Sequence, residues 1–105
     1  MRIISRKQIC DFALKHPECS SGLDAWYRIM KHTNYSSFTE LRKTFKSVDQ
    51  VGKLTVFNIG GNKARLTAAI HYNTKRVYVR QVLTHAEYDK DKWKEWLLWY
   101  KYLEK

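Results

Sequence analysis

The chain has 105 residues, 20 of them Lys or Arg against 10 Asp or Glu, with 44% hydrophobic and 14% aromatic residues. That length fits one domain over residues 1–105 with one core, and the apolar content excludes a disordered basic tail. A formal charge of +10 on so small a body points to a polyanionic partner, nucleic acid first, with charge kept for solubility as the plain alternative.

No apolar run approaches the ~20 residues that cross a bilayer, and Met1–Ile4 leads at once into polar residues rather than a secretory leader. A cytoplasmic protein with no membrane partner is the expectation. Cys10 and Cys19 fit no CxxC metal or redox motif and read as free thiols of a reducing compartment.

Arg2–Ile4 reads as a short strand. Ser5 and Gln8 have capping-box spacing, opening a helix with Ile9, Phe12, Ala13 and His16 on one face. Pro17 disfavours helical geometry at His16 and stops it there. A second helix starts near Ser20 or Ser21, with Leu23, Trp26, Tyr27 and Met30 in one stripe. Ser37 and Glu40 form another box before a short helix that turns Leu41 and Phe45 inward and Arg42, Lys43 and Lys46 to its other sides.

At Leu54 the period changes from helical to alternating. Leu54–Ile59 is one strand, followed by the turn pair Gly60-Gly61. Ala64–Tyr72 is a second, with Leu66, Ala68, Ile70 and Tyr72 on one face and Arg65, Thr67, Ala69 and His71 on the other, which Lys63 extends. A turn at Asn73-Thr74 leads to Arg76–Leu83, where Val77, Val79, Gln81 and Leu83 share one face and Arg76, Tyr78, Arg80 and Val82 the other. Two-residue turns would set Ile59 opposite Asn62, Phe57 opposite Ala64, Tyr72 opposite Lys75 and Thr67 opposite Arg80. The apolar residues would then lie on one side of a meander, with Asn58, Lys63, Arg65 and Arg80 on the other. Helices packed on the apolar side give a two-layer α+β domain. Thr84-His85-Ala86-Glu87 is a third capping box. Residues 91–105 read as a carboxy-terminal helix with Trp93, Trp96, Leu97, Tyr100 and Leu103 in its core stripe, and Trp99 and Tyr102 outside it as a docking patch or a cap on the core edge.

The chemistry concentrates on the polar side of the meander. Register brings Lys63, Arg65 and Arg80 together, and His85 and Tyr88 follow from the end of the same strand. Cutting RNA without a metal needs a base for the 2′-hydroxyl proton, cations for the phosphorane charge and an acid for the leaving 5′-oxygen, and these residue types supply all three. Tyr78, with Tyr88, can stack on bases. Each residue also has a plain reading: surface arginines paired with carboxylates, a solubilising Lys63, a packed Tyr88. No HxH, HExxH or Cys/His cluster suggests zinc, the Gly-Gly pair is no P-loop, and no GxSxG occurs. No metal or cofactor is expected.

The stretch Val56-Phe57-Asn58-Ile59-Gly60-Gly61-Asn62-Lys63-Ala64-Arg65-Leu66, with Arg76-Val77-Tyr78-Val79-Arg80 and Thr84-His85-Ala86-Glu87-Tyr88-Asp89-Lys90, resembles the HigB-type toxins of the RelE-like group. The resemblance covers roughly residues 1–93; the tail 94–105 is longer and more aromatic than the usual pattern. It implies a RelE-like fold whose active surface is the exposed sheet face plus the carboxy-terminal segment, and an mRNA endonuclease working on ribosome-bound message. It also implies neutralisation by a helix-turn-helix antitoxin, with a higher-order toxin–antitoxin complex as an extension. On that reading His85, Arg80, Arg65, Lys63 and Tyr88 are the catalytic candidates, and Asn62, Lys90, Tyr78, Arg76 and Lys43 the RNA-binding ones. The competing reading is a noncatalytic RNA- or ribosome-binding module built on the same face.

Overall fold

The computed structural model describes residues 1–61 and 63–89. Asn62, Lys90 and the carboxy-terminal helix expected over 91–105, with Trp99 and Tyr102, lie outside the described residues. Strand β1 (Arg2–Ile4) leads into α1 (Arg6–Lys15), a 3₁₀ turn (Pro17–Cys19), α2 (Ser20–His32) and α3 (Phe38–Thr44). Strands β2 (Asp49–Val51), β3 (Leu54–Ile59), β4 (Ala64–His71) and β5 (Arg76–Thr84) follow, and α4 (His85–Asp89) closes the described chain. The five strands form one sheet in the order β1-β5-β4-β3-β2, with only β1 and β5 parallel. Helices on one face of this sheet make the two-layer α+β domain that the sequence implies.

The helix boundaries follow local chemistry. Pro17 ends α1 at Lys15 and starts the 3₁₀ turn, where its missing N–H costs nothing. Ser37 caps α3 as expected, its Oγ accepting from the Glu40 N–H at 3.2 Å, while the Glu40 carboxylate takes the Ser36 N–H. Ser5 does not cap α1. It sits in the left-handed region at φ 73°, and no side-chain cap bond forms. A capping serine needs extended geometry, but here the chain must turn from a strand paired with β5 straight into a helix. The start of β1 is held from both sides. The Met1 ammonium donates to the carbonyls of Met30 (2.9 Å), Lys31 and Thr33 at the end of α2, and Arg2 N–H donates to Lys75 at 2.8 Å. Three carbonyls that α2 leaves open thereby find a donor.

The main core joins Ile9, Phe12, Leu23, Trp26, Met30 and Leu41 of the helices to Phe57, Ile59, Leu66, Ala68, Val77 and Val79 of the sheet. Phe57 receives Trp26 and Phe45 edge-on, at ring distances of 5.4 and 5.1 Å. Burying side chains of this size stabilises by about 1.5–3 kcal/mol each before the entropy of ordering is subtracted.

Three register expectations need correction. Ile59 pairs with Ala64 and Phe57 with Leu66, so the connection is longer than two residues and the ladder is two residues out from the expected one, which preserves the faces. The β4–β5 ladder starts as expected, with His71 opposite Arg76, but shifts between Thr67 and Ala68, so that Thr67 meets Gln81 rather than Arg80. Arg80 is the extra residue of a β-bulge. Beyond it the faces swap: Val82, not Leu83, joins the main core, and Leu83 lies on the opposite side. That opposite side is not purely polar. Leu54, Val56 and Ala69 are buried there, with Val51, Tyr78, Leu83 and Tyr88 packed against them.

Candidate active site

The outer face of the sheet is an apolar bed on which two arginines are each held against a tyrosine. Arg65 rises from β4 with only 9% of its surface exposed. Its guanidinium carbon lies 5.6 Å from the Tyr88 ring centroid, and Nη1 donates to the Ala64 carbonyl at 3.1 Å. Arg80 stands on the bulge, its guanidinium carbon 5.6 Å from the centroid of Tyr78, which meets His71 edge-on at 5.2 Å. Tyr78 and Tyr88 pack on the same cluster, so both cations belong to one surface. Burying a guanidinium costs several kcal/mol unless it is well partnered; ring faces and a carbonyl offset part of that here. What results is positive charge of low mobility in poor solvent, the condition under which it acts most strongly on an incoming phosphate.

The bulge is itself pinned: Thr67, fully buried, donates from Oγ1 to the Gln81 carbonyl at 3.4 Å. Past it, α4 begins with a complete capping box. Glu87 N–H donates to Thr84 Oγ1 at 3.2 Å, and the Glu87 carboxylate accepts from Thr84 N–H at 3.0 Å. This box sets His85, exposed, at the head of α4 and Tyr88 one turn on, over Arg65. The His85 N–H also donates to the Lys63 carbonyl at 3.3 Å, tying the β3–β4 turn to the start of α4.

Of the ten candidate residues, Arg65, Arg80, Tyr78 and Tyr88 share the outer face, and His85 adjoins it at the carboxyl end of β5. Lys63 reaches the site through its backbone. Its side-chain carbons lie over Gly60, and its charge bears on Cys19 in the helical layer. Arg76 is exposed at the other end of β5, opposite His71. Lys43 is exposed on α3, whose Leu41 belongs to the helical core, so the fold does not bring it to the sheet's outer face. Two residues with no place among the candidates help build the site. Thr67 fixes the bulge, and Gly22 of α2 lets the β3–β4 turn approach: a Cβ there would stand 2.9 Å from the Gly60 nitrogen. The bulge has a trace in the sequence, because the core valines step from Val77 to Val79 and then to Val82.

Cys10 is exposed and Cys19 buried, both free. Burial, then the Glu18 carboxylate, push the Cys19 thiol up, with Lys63 opposing. Among the described residues no three His, Cys, Asp or Glu side chains are grouped to hold a metal ion, and no helix is long and apolar enough to cross a membrane.

A two-layer α+β domain whose bulged sheet presents tyrosine-backed arginines beside an exposed histidine has the architecture of a RelE-like toxin. The chain belongs to the HigB toxin family, the RelE-like toxic component of a toxin–antitoxin system, which it matches over residues 19–91. It is 37% identical over 93 residues to the mRNA interferase HigB of Escherichia coli O6:H1, covering 86% of this chain and 90% of that protein. It is 33% identical over 92 residues to the mRNA interferase toxin HigB of E. coli strain K12 and the mRNA interferase HigB of Shigella flexneri, with 85% of this chain and 88% of each relative covered.

Proposed function

We propose that this protein is an endoribonuclease that cleaves messenger RNA on the ribosome, without a metal ion, and acts in the cytoplasm as the toxin of a type II toxin–antitoxin pair. The observation that carries the reading is the pair of tyrosine-backed arginines on one face with His85 tethered beside them. The curated relatives are named mRNA interferases, which supports the cleavage of messenger RNA.

In this mechanism Arg65 and Arg80 grip the scissile phosphate and hold the second negative charge that develops on the phosphorane. A base takes the 2′-hydroxyl proton, the 2′-oxygen bonds to phosphorus, and the 5′-oxygen leaves with a proton from an acid. The products are a 2′,3′-cyclic phosphate and a free 5′-hydroxyl. His85 and Tyr88 are the groups for the two proton transfers, each transfer worth about 10²–10⁴ in rate, and Lys63 serves through its carbonyl, which holds the His85 N–H. Tyr78 and Arg76 extend the surface along the message, with Asn62 and Lys90 as further RNA contacts. The restraining partner is a helix-turn-helix antitoxin, in a complex that can assemble to higher order.

Induced expression of wild type and His85→Ala in a bacterial host, with 5′ ends of messages mapped, tests this reading. New ends and growth arrest from wild type only are expected. Ends from both proteins would keep the nuclease and move proton transfer to Tyr88 and the arginine pair. Ends from neither, with tight RNA binding retained, would sink the nuclease and leave a binding module.

A further inference from the structure

Beside the basic face is a second feature that phosphate chemistry does not use. A cleft of about 330 Å³ runs between α1 and the far half of β5, lined by Gln8, Asp11, Lys15 and His16 on one side and Gln81, Leu83 and Glu87 on the other. It exists because β1 is short. β1 covers β5 only from Arg76 to Tyr78, so the outer edge of β5 from Val79 onward has no strand beside it among the described residues, and α1 flanks that edge across the cleft. The bulge then brings Gln81 to it.

We infer that this cleft is a nucleobase subsite, which reads one base of the message next to the scissile phosphate. The inference rests on the ribonuclease reading above. Three observations support it. First, the cleft is continuous with the proposed active site: Leu83 and Glu87 line it, while Leu83 also packs in the apolar bed of the outer face and Glu87 caps the turn that carries His85. A strand crossing Arg65 and Arg80 can drop the adjoining base over the edge of β5. Second, the lining suits the edge of a base and not an anion. Two carboxylates, Asp11 and Glu87, against one cation, Lys15, give the lining no positive excess to draw a phosphate, whereas carboxylates and the amides of Gln8 and Gln81 are the groups that pair with base donors and acceptors. Third, one wall carries a ring that is already ordered. His16 lies tilted against the buried Phe12 ring, 4.5 Å between centroids, and its Nδ1 is 3.4 Å from the Glu18 carboxylate. Half-exposed rings held in this way are the platforms on which single-stranded bases settle. The volume lies at the lower end of small-ligand pockets, about 300–1,000 Å³, which is ample for one base.

The test is the sequence at the cut. Messages are mapped after induction of wild type, Gln81→Ala and Asp11→Asn, and base frequencies are tallied at each position flanking the new ends. The control, Asp24→Ala, changes a residue on the outer surface of α2, away from the cleft. The expected result is a preference at one flanking position in wild type and control that falls at least tenfold in one or both cleft variants, while cutting continues at other sites. An unchanged preference in both cleft variants would overturn the subsite and leave the nuclease standing. So would a uniform loss of cutting at every site by both variants with melting temperatures unchanged. Absence of new ends from wild type would overturn the nuclease and the subsite together.

Discussion

Replacing Gly22 by Ala sets two calculable effects against each other. In the interior of a helix such as α2, removing a glycine ordinarily stabilises by about 0.5–1 kcal/mol, because glycine loses the most backbone freedom on folding. Here the new methyl would meet the Gly60 nitrogen at 2.9 Å, the Ile59 Cγ2 at 3.0 Å and the Gly60 Cα at 3.3 Å. Two of those three atoms are backbone, and Gly60 is in the left-handed region at φ 59°, so the turn must move as a unit. Overpacking of this kind costs about 1–3 kcal/mol. The second effect wins, with a net loss of about 1 kcal/mol, or roughly 5 °C in melting temperature for a domain of this size. Because that turn holds His85 through the Lys63 carbonyl, cleavage should fall by more than the loss of folded protein explains. Urea unfolding with a parallel cleavage assay measures both. A variant that unfolds at higher urea than wild type would refute the reasoning, since α2 could not then be packed against the turn.

Other perturbations separate the remaining parts of the account. Deleting Arg80 should remove the bulge and leave every later residue of β5 on its present face. The protein should stay folded, with cleavage down about 10²–10³, as for loss of one charge-stabilising donor; circular dichroism and a cleavage assay check both. With an RNA that cannot be cut, binding should weaken with salt, and Arg80→Ala should reduce the log–log slope by about 0.7 for one lost phosphate contact on a single strand. Exposed Cys10 should alkylate quickly in the folded protein and buried Cys19 only on unfolding, which peptide mass spectrometry resolves. Burial pushes both the Cys19 thiol and the Tyr72 phenol up. The folded state therefore retains those protons where the unfolded chain has lost them. Their contribution is intact at neutral pH and is lost as the solution becomes alkaline, which unfolding curves at rising pH would show.

Much of this fold is legible in local sequence, and the exceptions have particular causes. Helix starts at Ser37 and Thr84 and the stop at Pro17 depend on neighbours within four residues, so spacing alone finds them. Ser5 shares that spacing, yet pairing of β1 with β5, more than seventy residues away along the chain, decides its backbone. A two-residue turn is the simplest reading of Gly60-Gly61, but the ladder resumes only at Ala64, opposite Ile59. Alternation identifies β5 but runs through Arg80 as if the strand were regular, whereas Thr67 bonded to the Gln81 carbonyl fixes an extra residue there. The family resemblance and the basic outer face both direct attention to Arg65, Arg80 and His85. Neither reveals that Tyr78 and Tyr88 back the arginines, because Tyr88 meets Arg65 from a distant part of the chain and Arg80 meets Tyr78, two residues before it, only at the bulge. The cleft beside α1 is equally unreadable: it arises from the difference in length between β1 and β5.

The central claim is 2′-hydroxyl attack under this basic face, and the chemistry of the broken ends tests it most directly. A translation system programmed with a defined message is treated with the purified protein, using all-ribose RNA and a copy carrying one 2′-deoxy residue at the mapped cut. The account predicts a 5′-hydroxyl and a 2′,3′-cyclic phosphate from the first message and no cut at that position in the second. A 5′-phosphate with a 3′-hydroxyl, or cutting at the 2′-deoxy residue, would contradict it.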